Sequence, residues 1–232
     1  MGPRAGLSTI RPGGLLCARM GVQAVGMSDP QKAFGILSPG GAFEVPELCA
    51  MVLDHVVVPV YGQAFRSVAE PETPALRAAA MASLVPDNLA GRAALGRMSA
   101  AWVYGCAPRP AIVCLLISSG HRSSALPPRS GCSLHEVRLD PLDVERLGGA
   151  PVTCALRTAV DVAITESAES ATATLWSLAS SRSLNCPLGR IRAAVAATSH
   201  IPGKRRALEL IDDMLAGGRA WGQAATEGGA LA

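Results

Sequence analysis

Apolar residues fall in short bursts along this chain, and their spacing predicts alternating helices and strands. In "PELCAMVLD" (46–54), Leu48, Met51 and Val52 share one side of a helix. Glu44-Val45-Pro46-Glu47 suits its entrance, with a proline in the first turn and acids near the positive end of the dipole. "HVVVPVYG" and "QAFRSV" (55–68) read as two strands turning near Gly62. An Ala-rich helix follows Thr73-Pro74 and is closed by Pro86 and Asp87; a second helical region is expected over 88–110, stopped by Gly105 and the prolines beyond it. "AIVCLLIS" (111–118) is continuously apolar, as a strand covered on both faces must be, and "CSLHEVRL" (132–139) alternates. "DPLDVERLGGAPVT" predicts a turn, a short helix and a Gly-Gly break. Four helices are expected after it, near 154–164, 168–182, 188–198 and 203–216.

This pattern is that of an α+β chain without a fixed-period repeat. Helix plus hairpin resembles the last helix and wing of a winged-helix module, clipped, because residues 31–43 are too few for two further helices. The expected organisation is a disordered extension (1–30), a truncated winged-helix-like part (31–87), a mixed α/β domain with several helices and a small sheet (88–216), and a frayed tail (217–232). Met27 is a second plausible start. The early Leu15–Leu16 pair is too short for a signal sequence, and no segment reaches the ~18 apolar residues of a membrane span.

Composition narrows the chemistry. Hydrophobic residues make up 49% of the chain and aromatics only 3%, so the core must be built from Ala, Val, Leu and Ile. A net charge of +3 permits contact with phosphate without demanding it. Seven scattered cysteines, never in a C-x-x-C pair, argue against a zinc ribbon or a disulfide framework and for neutral thiols in a reducing cytoplasm.

Three stretches carry candidate residues. In "PVTCALRTAVDVA" (151–163) Thr153 suits an N-cap, Leu156, Val160 and Ala163 share a face, and Arg157 and Asp161 can touch across four residues. Exposed, that pair would contribute only about 0.3–0.5 kcal/mol. In "GRMSAAWVYG" (96–105) the small residues Ser99, Ala100 and Ala101 allow close packing beside Trp102; no G-x-S-x-G surrounds Ser99 to make it a nucleophile. In "HIPGKRRALELIDDML" (200–215) Lys204, Arg205 and Arg206 sit at a helix start, where the dipole disfavours them, which marks them with Arg66 of the wing as candidate phosphate contacts. Nucleotide-binding glycine loops, H-E-x-x-H and a carboxylate–lysine nuclease pattern are all missing, so no catalytic constellation, metal site or cofactor is expected.

Taken in order, "GRMSAAWVYG", "LHEVRLDPLDVERLGGAPVT", "LRTAVDVA" and "IPGKRRALELIDD" resemble the AbiEi-type antitoxin family of bacterial type IV toxin–antitoxin systems, over roughly residues 70–215. That resemblance implies an N-terminal winged helix that binds operator DNA and represses its own operon. It also implies a C-terminal α/β domain that supports binding and counters a nucleotidyltransferase-like toxin. Ser99, Ala101, Trp102 and Gly105 fall on the family's small-residue helix, and Thr153, Arg157, Thr158 and Asp161 on its second motif, with no catalysis implied. Cys154 stands where the family prefers a small hydroxyl residue. Two functions are expected in competition: a non-enzymatic, DNA-binding antitoxin in the cytoplasm, or a protein-interaction module or relic that has lost DNA contact.

Overall fold

In a computed structural model, residues 35–119, 126–199 and 201–228 are described, the side chains as far as Gly217. Helix α1 (Val45–Leu53) leads into an antiparallel hairpin, β1 (Val57–Tyr61) and β2 (Ala64–Ser67), turning at Gly62 as expected. Glu47 anchors the start of α1 by accepting the Glu44 N–H at 2.7 Å. Helix α2 (Pro74–Ala82) is capped by Thr73, whose hydroxyl accepts the Leu76 N–H at 3.2 Å.

The second Ala-rich region is mostly not helical. Ala94–Leu95 form a two-residue strand, β3, and the helix shrinks to α3 (Arg97–Val103). Alanine prefers a helix, but β3 pairs with a strand on each side, and that tertiary pairing outweighs local propensity. Its neighbours are β4 (Val113–Ser118) and β7 (Ala150–Thr153); β5 (Cys132–Val137) and β6 (Val144–Leu147) close the edges of a mixed sheet ordered β5-β4-β3-β7-β6.

A second departure lies at Gly148-Gly149. These residues form the two-residue turn of a β6–β7 hairpin, with φ of +55° and +78°, the left-handed pair that a tight hairpin turn demands. The short helix expected there reduces to a 3-10 turn at Pro141–Asp143.

Two apolar clusters follow. The first joins Val60, Tyr61 and Met81 to Leu95, Leu115 and Val152, so residues on both sides of position 87 share one core. The second is a helical layer: α4 (Ala155–Thr165), α5 (Ala168–Ser180), α6 (Leu188–Ala197) and α7 (Lys204–Gly228). The backbone of α7 runs on past residue 216, where fraying was expected, through a segment in which Ala, Arg, Gln and Glu favour helix against its glycines. The expected extension over residues 1–30 lies outside the described residues.

At Gly148 an added Cβ would sit 1.9 Å from the Ala75 carbonyl oxygen of α2, on top of its left-handed φ. Gly148→Ala is expected to cost about 3 kcal/mol in urea unfolding. Gly91→Ala, with φ of +73° but nothing near its Cβ, should cost about 1 kcal/mol.

Candidate functional site

The joint between sheet and helical layer is built where β7 becomes α4. Thr153, expected as the N-cap, is the last residue of β7; Cys154 takes the cap position, its carbonyl accepting the Thr158 N–H at 2.8 Å. Thr158 Oγ1 donates to the Thr153 carbonyl at 3.0 Å and therefore accepts from Thr153 Oγ1 at 2.7 Å. Both side chains are buried, so this closed exchange replaces an ordinary cap. The Tyr104 hydroxyl lies 2.7 Å from the same Thr153 carbonyl and against the Glu145 carboxylate. Burial, then Glu145, push its pKa far up, so it remains a proton donor.

Arg157 reaches across that joint. Its Nε lies 3.0 Å from both Asp161 oxygens; its Nη1 donates to Asp143 at 2.7 Å and to the Arg138 carbonyl at 2.9 Å. One guanidinium thus ties α4 to the segment after β5 and to the turn before β6. The pair is no exposed bridge, since the Arg157 and Asp161 side chains are 17% and 14% exposed. Burial works against the Arg157 charge, but Asp161 and Asp143 hold its pKa above the ordinary value. Burial pushes the Asp161 carboxyl up, with Arg157 pulling against it. Two carboxylates share one cation, which engages both Asp161 oxygens and Asp143 Oδ2.

The small-residue helix is equally structural. Ser99 is buried and its Oγ accepts the Cys114 N–H at 2.8 Å, fastening α3 to β4. Trp102 is buried beneath Arg77, whose guanidinium lies 5.2 Å from the ring centroid and donates to the Trp102 carbonyl at 3.0 Å. Ala101 and Trp102 offer their carbonyls to the Cys106 and Gly105 N–H groups at 2.8 and 2.9 Å. With Gly105 at φ +78°, that is a complete Schellman ending.

The four candidate phosphate contacts separate. Lys204 donates to the Ala196 and Thr198 carbonyls, both at 2.7 Å, closing the C-terminus of α6. Arg206 donates to the Ile164 and Glu166 carbonyls at 2.9 and 2.7 Å, closing that of α4. Cations unfavourable for their own helix thus cap two others, where the dipole and the unpaired carbonyls both welcome them. Gly203, at φ +88°, lets the chain approach closely: a Cβ there would meet the Ile164 carbonyl oxygen at 2.6 Å. Arg66 turns inward to the Ser67 and Glu70 carbonyls at 3.0 and 2.6 Å. Arg205 projects, 94% exposed, with Glu209 at 3.4 Å.

Two features escaped the sequence reading. Arg97 adopts φ +50° and brings Nη1 to 3.3 Å from His135 Nε2. Burial, then Arg97, lower the His135 pKa. Alternation placed His135 on a strand, but nothing local announced a partner 38 residues earlier. The other is the solvent side of α1 and its hairpin, where Val45, Leu53, Val56 and Val68 are exposed. Its signal in α1 was the apolar residues Val45, Cys49 and Leu53, which fall outside the face formed by Leu48, Met51 and Val52.

A pocket of about 320 Å³ lies between α2 and the β6–β7 turn, lined by small apolar residues such as Ala79, Ala90 and Ala93. Burial pushes the Cys114 and Cys186 thiols up to about 11, whereas Cys49 is exposed. Among the described residues, no three or more His, Cys, Asp or Glu side chains converge to hold a metal ion, and no helix is long and apolar enough to cross a membrane. In comparison with known proteins, the chain matches no family model and no curated protein.

Arg157→Ala is expected to cost about 2–4 kcal/mol in equilibrium unfolding, because it strands two partly buried carboxylates. Arg157→Lys should recover less than half, since an ammonium cannot span three acceptors in one plane. For His135 the folded pKa lies below the ordinary 6.5, so the unfolded chain takes up the proton first as pH falls. Its contribution is complete above that window and is lost below it; His135→Asn should therefore flatten the fall in melting temperature between about pH 7 and pH 5.

Proposed function

We propose that this chain is a non-enzymatic regulator of the antitoxin type that works by holding a protein partner, of the nucleotidyltransferase-like toxin class its motifs suggest. The observation that carries this reading is the use of Arg66, Lys204 and Arg206 as donors to backbone carbonyls. Gripping a phosphate backbone requires free cations that displace condensed counterions, and these three are committed within the fold.

Charge on α1 supports the same reading. In a winged helix the segment before the wing is placed to read a groove. Here, from Glu44 to Asp54, the chain carries Glu44, Glu47 and Asp54 and no lysine or arginine. Carboxylates facing a polyanion oppose association. The motif helices supply what a binding scaffold needs: buried ties that fix a surface without displaying reactive groups.

The test has two arms. An electrophoretic shift of the chain's own upstream DNA at low salt is expected to show no complex; a complex abolished by Arg205→Ala would restore the DNA-binding reading. Co-expression with a nucleotidyltransferase-like toxin encoded beside it should rescue growth, and failure of rescue would remove the antitoxin assignment. Lys204→Ala and Arg206→Ala are each expected to lower stability by about 1 kcal/mol in thermal melts, as lost helix caps do.

A further inference from the structure

We infer that the pocket between α2 and the β6–β7 turn binds an organic cation, an aliphatic stem ending in a guanidinium or ammonium group. The site is separate from the holding of a toxin and does not depend on it.

The walls suit the stem. About 320 Å³ is open there, at the small end of the range for ligand pockets. Its sides are the last turn of α2 (Ala79, Ala82), the connector that follows (Ala90, Ala93) and the Gly148-Gly149 turn. Side chains that stop at Cβ or sooner leave space for a slim chain of methylene groups, and laying that chain against them removes apolar surface from water.

Charge selects the head group. Among the described residues that line the pocket, Asp87 alone is charged. Its carboxylate is exposed and has no hydrogen-bond or ion-pair partner among the described residues. Arg92 and Arg146, neighbours of the lining in sequence, lie outside it and donate to the Asn88 and Gly149 carbonyls at 3.4 and 3.0 Å. The end of α2 adds the same sign. Ala82 and Ser83 stand in the wall where the helix stops, and its last turn carries no basic residue. Other helix ends in this fold are answered by cations: α6 by Lys204, α4 by Arg206, and α3 by Arg77 at the Trp102 carbonyl. The closing carbonyls of α2 accept the Ser83, Leu84 and Val85 N–H groups, so this end is short of a positive charge and not of donors. A small apolar pocket with a free carboxylate and a negative helix end on its walls attracts a cation and repels an anion.

That chemistry occurs on free alkylguanidines and alkylamines and on the side chains of arginine and lysine. The probe is butylguanidinium, titrated into the isotope-labelled full chain and followed by backbone amide NMR, with 1-pentanol and pentanoate as neutral and anionic controls. Saturable shifts are expected at Ala79, Ala82, Gly91 and Gly149, with both controls weaker by about fivefold or more. Asp87→Asn, at an exposed side chain, should bring butylguanidinium down to the level of the alcohol. Ala90→Trp, which fills the pocket from its rim, should remove binding of all three. An acetyl-Gly-Arg-Gly-amide peptide separates the sources: the same shifts assign the pocket to a protein's arginine, and their absence beside butylguanidinium binding assigns it to a free ligand. Equal binding of alcohol and cation overturns the proposal, as do shifts that Asp87→Asn leaves unchanged or that scatter over acidic residues away from this pocket.

Discussion

The Arg157 guanidinium cross-links three pieces of chain through their side chains and carbonyls: α4, the segment leaving β5, and the turn before β6. Apolar packing is non-directional and would tolerate sliding between the sheet and the helical layer. A planar cation with fixed donor directions does not tolerate it, because Nε and Nη1 must point at Asp161, Asp143 and the Arg138 carbonyl at once. The Thr153–Thr158 exchange and the Tyr104 hydroxyl work at the same joint, and all depend on α4 leaving β7 at one angle. Without that registration the two apolar clusters would still bury surface, but in no single arrangement.

Arginine does similar work elsewhere in the fold. Arg77 covers Trp102 and takes its carbonyl, Arg109 reaches the Val60 carbonyl at 3.0 Å, and Arg146 reaches that of Gly149 at 3.0 Å. With three aromatic residues in a hundred, the core lacks the large rings that usually bridge elements, and long guanidinium side chains span those gaps. The formal positive charge is thus a poor guide to the surface, because many cations are answered by backbone oxygens within the fold.

The parts of the fold with strong local signals were legible. The Thr73-Pro74 cap, the Gly62 turn, the continuous apolar run of β4 and the four late helices each follow from neighbours in sequence. What failed depended on distant partners. The strand at Ala94–Leu95 exists because β4 and β7 flank it, and no property of two small apolar residues reveals that. The Gly148-Gly149 turn was visible and misjudged: two glycines between strand-like segments signal a hairpin more strongly than a break. At the site, the Arg157–Asp161 contact was legible from spacing, whereas Asp143 and the Arg138 carbonyl were not. The basic cluster at 204–206 was noticed for the right reason, its conflict with its own helix dipole. The carbonyls that resolve the conflict lie up to 42 residues away.

The first turn of α7 closes the ends of two other helices at once, Lys204 on α6 and Arg206 on α4, with Gly203 pressed to the Ile164 carbonyl between them. Fraying of either end therefore withdraws a donor from the segment that also secures the other. Three helices are wired in parallel through four residues, so they should open to solvent exchange as one cooperative block, while α1, with a single buried side chain, breathes independently of them.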